Sequence, residues 1–119
     1  MQNMTIWHNP RCSKSREAMT ILEENKCEAE IVNYLESKPN RQEIKSVLKM
    51  LGLSARELMR TKEDIYKELN LSSEESEEKL IEAMVNHPKL IERPIVIKDG
   101  KAVIGRPIEN VVNLLEQGL

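Results

Sequence analysis

Cys12 follows the run Thr5-Ile6-Trp7-His8-Asn9-Pro10-Arg11 and precedes Ser13-Lys14-Ser15-Arg16. An apolar strand pattern ends here in an Asn-Pro turn, and the thiol opens a helical pattern. Free amides and the positive dipole end of a helix favour an anion, so a thiolate in this position is stabilised over the thiol. Arg11, Lys14 and Arg16 add positive charge, and the Cys12 pKa is expected below the ordinary thiol value. The same amides suit an incoming oxyanion. A cysteine packed as a small apolar group is the alternative, and the polar, basic flank favours the reactive reading.

Three arginines stand at the ends of predicted elements. Arg60 closes Ser54-Ala55-Arg56-Glu57-Leu58-Met59-Arg60, Arg93 precedes Pro94 at the start of a strand, and Arg106 follows Gly105 at the end of the next. Solvated surface charge is the ordinary use of such residues. If the two strands pair, Arg93 and Arg106 lie at adjacent ends, where a guanidinium pair suits a tetrahedral oxyanion.

The elements that must position these groups follow from periodicity. Met4 to His8 is predicted as a strand, Ser13 to Glu24 as a helix with Ala18, Met19, Ile21 and Leu22 on one face, and Ala29 to Leu35 as a second strand parallel to the first. Asn40 N-caps a helix bearing Ile44, Val47, Leu48 and Leu51, which Gly52 ends. Ser54 and Glu57 have capping-box spacing, opening a short helix to about Arg60, with another over Asp64 to Leu69. Asn70 to Glu75 is a polar connector, and a helix with Leu80, Ile81, Met84 and Val85 runs until Asn86-His87-Pro88 stops it.

Asp99-Gly100 between Pro94-Ile95-Val96-Ile97-Lys98 and Lys101-Ala102-Val103-Ile104 signals an antiparallel hairpin. A last helix with Ile108, Val111, Val112, Leu114 and Leu115 follows, with Pro107 near its first position and Gly118 closing it. The order describes an α/β fold: a four-stranded mixed sheet, first and second strands parallel, third and fourth a hairpin. The expectation is a single domain over 1–119 with a helical insertion at about 40–87 between the second and third strands.

Composition excludes several functions. Eighteen basic against twenty acidic residues leave a net charge of −2, without a general attraction for nucleic acid or anionic lipid. Trp7, Tyr34 and Tyr66 are the only aromatics, too few for a base-stacking platform. Two His and two Cys lack the paired spacing of a zinc site, so no metal is expected. No apolar run is long enough to span a membrane, and Met1-Gln2-Asn3 leads into a strand pattern instead of a secretory signal. A cytoplasmic protein is expected, with Cys12 and Cys27 both reduced.

The run His8 to Arg16, the segment Ser54 to Arg60, and Asn86-His87-Pro88 through Glu92-Arg93-Pro94-Ile95-Val96 to Gly105-Arg106-Pro107 resemble the glutaredoxin-dependent arsenate reductase family. The likeness covers nearly the whole chain and is greatest to the short arsenate-reductase-like branch. It implies a thioredoxin-like fold with a cis peptide before Pro94 beside the thiol. It also implies that Cys12 is the nucleophile, that Arg60, Arg93 and Arg106 bind arsenate, and that His8 and Ser15 support the thiolate. By the residues alone, His8 is equally a plain strand-end residue. Ser13-Lys14 stands where the resistance enzymes usually carry Gly-Thr, so the anion loop differs in bulk and charge.

The resemblance implies reduction of arsenate to arsenite with no bound cofactor, glutathione as co-substrate and glutaredoxin as partner. Two other readings stay open: a general glutathione-linked thiol oxidoreductase with little arsenate activity, and a noncatalytic regulator binding a partner such as RNA polymerase. The three arginines favour an oxyanion site, and Ser15 at the position of a second loop cysteine excludes a dithiol switch there.

Overall fold

The computed structural model describes residues 4–116. The expected lead-in Met1-Gln2-Asn3 and the Gly118 stop lie outside them. Within the described residues the chain forms two compact units, one from residues up to Ser37 together with those from Arg93 onward, the other from Lys38 to Glu92.

The first unit contains β1 (Met4–Trp7), α1 (Ser13–Glu24), β2 (Glu30–Val32) and a single turn of helix, α2 (Tyr34–Ser37). Strand β2 is shorter than its sequence pattern, because Asn33 turns the chain: the amides of Glu36 and Ser37 both donate to its carbonyl. The second unit holds α3 (Arg41–Leu51), α4 (Ala55–Leu58), α5 (Asp64–Glu68) and α6 (Glu77–Asn86). After it the first unit resumes with β3 (Ile95–Lys98), β4 (Lys101–Ile104) and α7 (Glu109–Glu116).

The four strands form one sheet in the order β2-β1-β3-β4. Strand β1 pairs parallel with β2 and antiparallel with β3, and β3 pairs antiparallel with β4. This is the mixed sheet expected from the sequence. The hairpin turns at Asp99 and Gly100, both at positive φ (49° and 82°), which a two-residue primed turn requires.

The register brings the thiol loop and the strand ends together. Trp7 pairs with Ile95, and Ile95 pairs with Ile104. The exit of β1, the start of β3 and the end of β4 therefore lie side by side at one end of the sheet. Met4, Ile6, Ala18, Leu22, Val96, Val111 and Leu114 form the core beneath, with α1 and α7 supplying the helical part. Burying each large aliphatic side chain contributes about 1.5–3 kcal/mol.

In the second unit α3 and α4 pack on α6 through Ile44, Val47, Leu48, Ala55, Leu58, Leu80, Ile81 and Met84. The sequence signals at its helix ends appear as bonds. Asn40 and Glu43 form a capping box, as do Ser54 and Glu57, and Gly52 ends α3 in the left-handed region at φ 71°. The polar connector contains one 3₁₀ turn, Leu71–Ser73, and another, Pro88–Leu90, follows α6. Arg56 staples this region, its guanidinium donating to the Tyr66 hydroxyl and to the carbonyls of Leu71 and Glu74.

Candidate active site

The turn that presents Cys12 is built locally. The Cys12 amide donates to the Asn9 carbonyl at 3.0 Å, and the Arg11 amide donates to Asn9 Oδ1 at 3.0 Å. Pro10 presets φ at the second corner of this four-residue turn. Cys12 follows as the N-cap of α1, with extended backbone at φ −95° and ψ 124°, and is 7% exposed. Its sulfur stands at the capping position without closing a full capping hydrogen bond.

Burial alone pushes the thiol pKa up. The Ser15 amide, the charge and hydrogen bond of Arg93, and the Lys14 amide outweigh it, so the net shift is downward. Arg106 Nη2 lies 3.3 Å from Cys12 Sγ, and Arg106 Nε donates to the Arg93 carbonyl at 2.7 Å. One guanidinium thus ties the end of β4 to the start of β3 while facing the sulfur.

Ser15 is fully buried one turn into α1. Its hydroxyl accepts from the Asn9 amide at 3.0 Å and lies 2.9 Å from His8 Nδ1. The Asn9 bond leaves the hydroxyl proton available for the ring. Burial lowers the His8 pKa and the Arg16 charge lowers it further, and both favour the neutral ring. Ser15 meets the thiol through its amide, and its hydroxyl holds the loop to His8 just past β1.

The Arg93-Pro94 bond is cis, as is Arg106-Pro107. The Gly105 amide donates to the Pro94 carbonyl at 2.8 Å, and a Cβ on Gly105 would stand 2.7 Å from Pro94 Cγ. Only glycine permits this approach. Helix α7 begins two residues after Pro107, so that proline ends the β4 exit loop and does not occupy the first helical position.

Arg60 belongs to the second unit, where its amide donates to the Leu90 carbonyl at 2.7 Å beside the Met59–Ile91 bridge. Its Nη1 lies 2.6 Å from Glu63 Oε1, and its Nε 3.7 Å from Glu92 Oε1. Cys12, Arg93, Arg106, His8, Ser15 and cis-Pro94 are brought together within the first unit.

Residues 7–114 match the model of the ArsC family. The chain belongs to the ArsC family. It is 49% identical over 117 residues to an arsenate reductase of Neisseria meningitidis, covering 97% of this chain and 100% of that protein. It is 57% identical over 116 residues to the uncharacterized protein YfgD of Escherichia coli strain K12, covering 96% and 98%. Among solved structures, an arsenate reductase from Vibrio cholerae superposes with a TM-score of 0.91 at 47% identity, covering 94% and 97%. The fold of this ArsC-family chain is accordingly thioredoxin-like.

Two residues of this candidate site in the ArsC-family chain carry no obvious sequence signal. Asn110 Nδ2 donates to the Ile104 carbonyl at 2.9 Å and to the Arg106 carbonyl at 3.4 Å, fixing the segment that carries Arg106. Gly105 read only as part of a turn, although its place between a strand and Arg106-Pro107 marks a close backbone approach. Among the described residues no group of His, Cys, Asp or Glu is placed to hold a metal, and no helix is long and apolar enough to cross a membrane.

Proposed function

We propose that this chain reduces arsenate to arsenite, with Cys12 as nucleophile and glutathione and glutaredoxin as the thiol supply. One observation carries the reading: a single buried sulfur faces Arg106 Nη2 at 3.3 Å, with Arg93 and two helix amides acting on the same atom. Thiolate and tetrahedral anion need the same donors. The arsenate reductases among its relatives support that substrate.

The Cys12 thiolate attacks arsenic, and a protonated oxygen leaves as water or hydroxide. Arg93, Arg106 and the loop amides offset the charge that builds on the remaining oxygens, and one such donor is commonly worth about 10²–10³ in rate. Arg60 enters the proposal through the family pattern alone. Glutathione thiolate then attacks Cys12 Sγ. A sulfur–sulfur bond forms, the sulfur–arsenic bond breaks, and its electron pair stays on arsenic, which leaves as arsenite. Two thiols are oxidised to one disulfide as arsenic takes two electrons. Glutaredoxin removes the glutathionyl group by thiol exchange, so one protein thiol suffices. The setting of such a cycle is the reducing cytoplasm.

Arsenate-dependent NADPH consumption in the presence of glutathione, glutathione reductase and glutaredoxin tests the proposal. The native chain should turn over, Cys12→Ser should be inactive, and Arg93→Ala should be strongly weakened. No arsenate-dependent rate, with Cys12 still forming a glutathione mixed disulfide, replaces this reading with a general thiol oxidoreductase.

A further inference from the structure

Three cations flank Cys12 along the chain, and two have partners inside the protein. Arg16 Nη1 donates to the Pro10 carbonyl at 3.1 Å, and Lys14 Nζ lies 3.9 Å from Glu17 Oε2. Arg11 differs. Its backbone is held at the third corner of the Asn9–Cys12 turn by the amide bond to Asn9 Oδ1. Its side chain is exposed and has no hydrogen bond or ion pair among the described residues.

A fixed backbone thus carries an uncommitted guanidinium one residue before the buried sulfur. Consecutive Cα atoms are about 3.8 Å apart, so guanidinium and sulfur spring from adjacent roots. That pairing matches a ligand with a carboxylate a few bonds from its own thiol. Arg93 and Arg106 already face the sulfur itself, which leaves Arg11 for the part of an incoming molecule outside the reacting centre.

We propose that Arg11 selects the thiol co-substrate by holding a carboxylate of an acidic thiol such as glutathione while its sulfur closes on Cys12. The inference rests on the reading above in requiring an external thiol. It adds the residue that would hold the carboxylate of that thiol and make the site prefer an acidic one.

The test uses no arsenate. In a Cys27→Ala background, Cys12 is converted to its 2-thiopyridyl mixed disulfide and mixed with glutathione or with glutathione diethyl ester. The incoming thiolate attacks Cys12 Sγ, the new disulfide forms, and the old one breaks. The departing sulfur takes the electron pair and is protonated to pyridine-2-thione, read by its absorbance. The measured quantity is the ratio of the glutathione rate to the diester rate, which cancels changes in Cys12 reactivity.

Arg11→Ala should lower that ratio about three- to fivefold, the size expected of a solvent-exposed ion pair. Arg11→Glu should lower it further, Arg11→Lys should restore most of it, and high salt should bring the native ratio toward that of Arg11→Ala. A ratio equal in the native chain, Arg11→Ala and Arg11→Glu overturns the proposal. So does a Lys14→Ala ratio as low as that of Arg11→Ala, because the effect then belongs to the general charge of the loop. Absence of arsenate turnover in the coupled assay removes the arsenate reading and leaves this ratio to be judged by itself.

Discussion

Arg106 Nη2 lies 3.3 Å from Cys12 Sγ, across 94 residues of chain. The same guanidinium donates through Nε to the Arg93 carbonyl, so the group facing the sulfur also joins two strand ends. Reactivity of the thiol and order of the β3 and β4 ends are therefore linked in one side chain.

Arg93→Ala removes one charge and one hydrogen bond that, with the Ser15 and Lys14 amides, lower the Cys12 pKa. The thiol pKa should rise, which leaves less thiolate at pH 7. Alkylation of Cys12 by iodoacetamide should slow about three- to tenfold at pH 7, and the inflection of its pH profile should move upward. At a pH above both pKa values the native and variant rates should converge.

Gly105→Ala places a methyl group 2.7 Å from the rigid Pro94 ring and 3.2 Å from Val111 Cγ2. Neither neighbour yields without moving a strand end or the core. A loss of about 1–3 kcal/mol in urea unfolding is expected.

Lys98 is 5% exposed, with Nζ donating to the Leu115 carbonyl at 3.1 Å near the end of α7. Lys98→Met keeps the apolar stem and removes the bond to that carbonyl. Stability should fall by about 0.5–1.5 kcal/mol. Lys101→Met, at the exposed position paired with Lys98, should change the urea midpoint little.

The His8 pKa lies below its ordinary value, chiefly through burial. In the window between the folded and unfolded values, the unfolded chain binds the proton and the folded chain does not. Stability is therefore fully present above about pH 6.5 and falls as pH drops through that window. Urea midpoints at pH 7.5 and 5.5 should differ more for the native chain than for His8→Asn. Equal differences would show that other groups control the slope.

Much of the architecture was legible because the signals are local. Asn40, Ser54 with Glu57, Gly52, and Asp99-Gly100 each act within a few residues, and each appears as the expected cap or turn, Glu43 completing a capping box with Asn40. Strand β2 and the start of α7 were less legible. The β-branched run around Ile31 continues past the point where the Asn33 carbonyl turns the chain, and Pro107 fits the first helical position by propensity while standing two residues before α7.

By itself the sequence determined the thiol loop: flanking cations, and an Asn-Pro turn with a cysteine at a helix start, held by hydrogen bonds between near neighbours. Tertiary structure decided the rest of the first-unit site. Placing β1 between β2 and β3 sets Arg93 and Arg106 beside Cys12, and packing of cis-Pro94 against Gly105 fixes the spacing of the strand ends. Those contacts join residues more than eighty positions apart, or depend on one missing Cβ. Periodicity and propensity describe neither, because both act only along the chain.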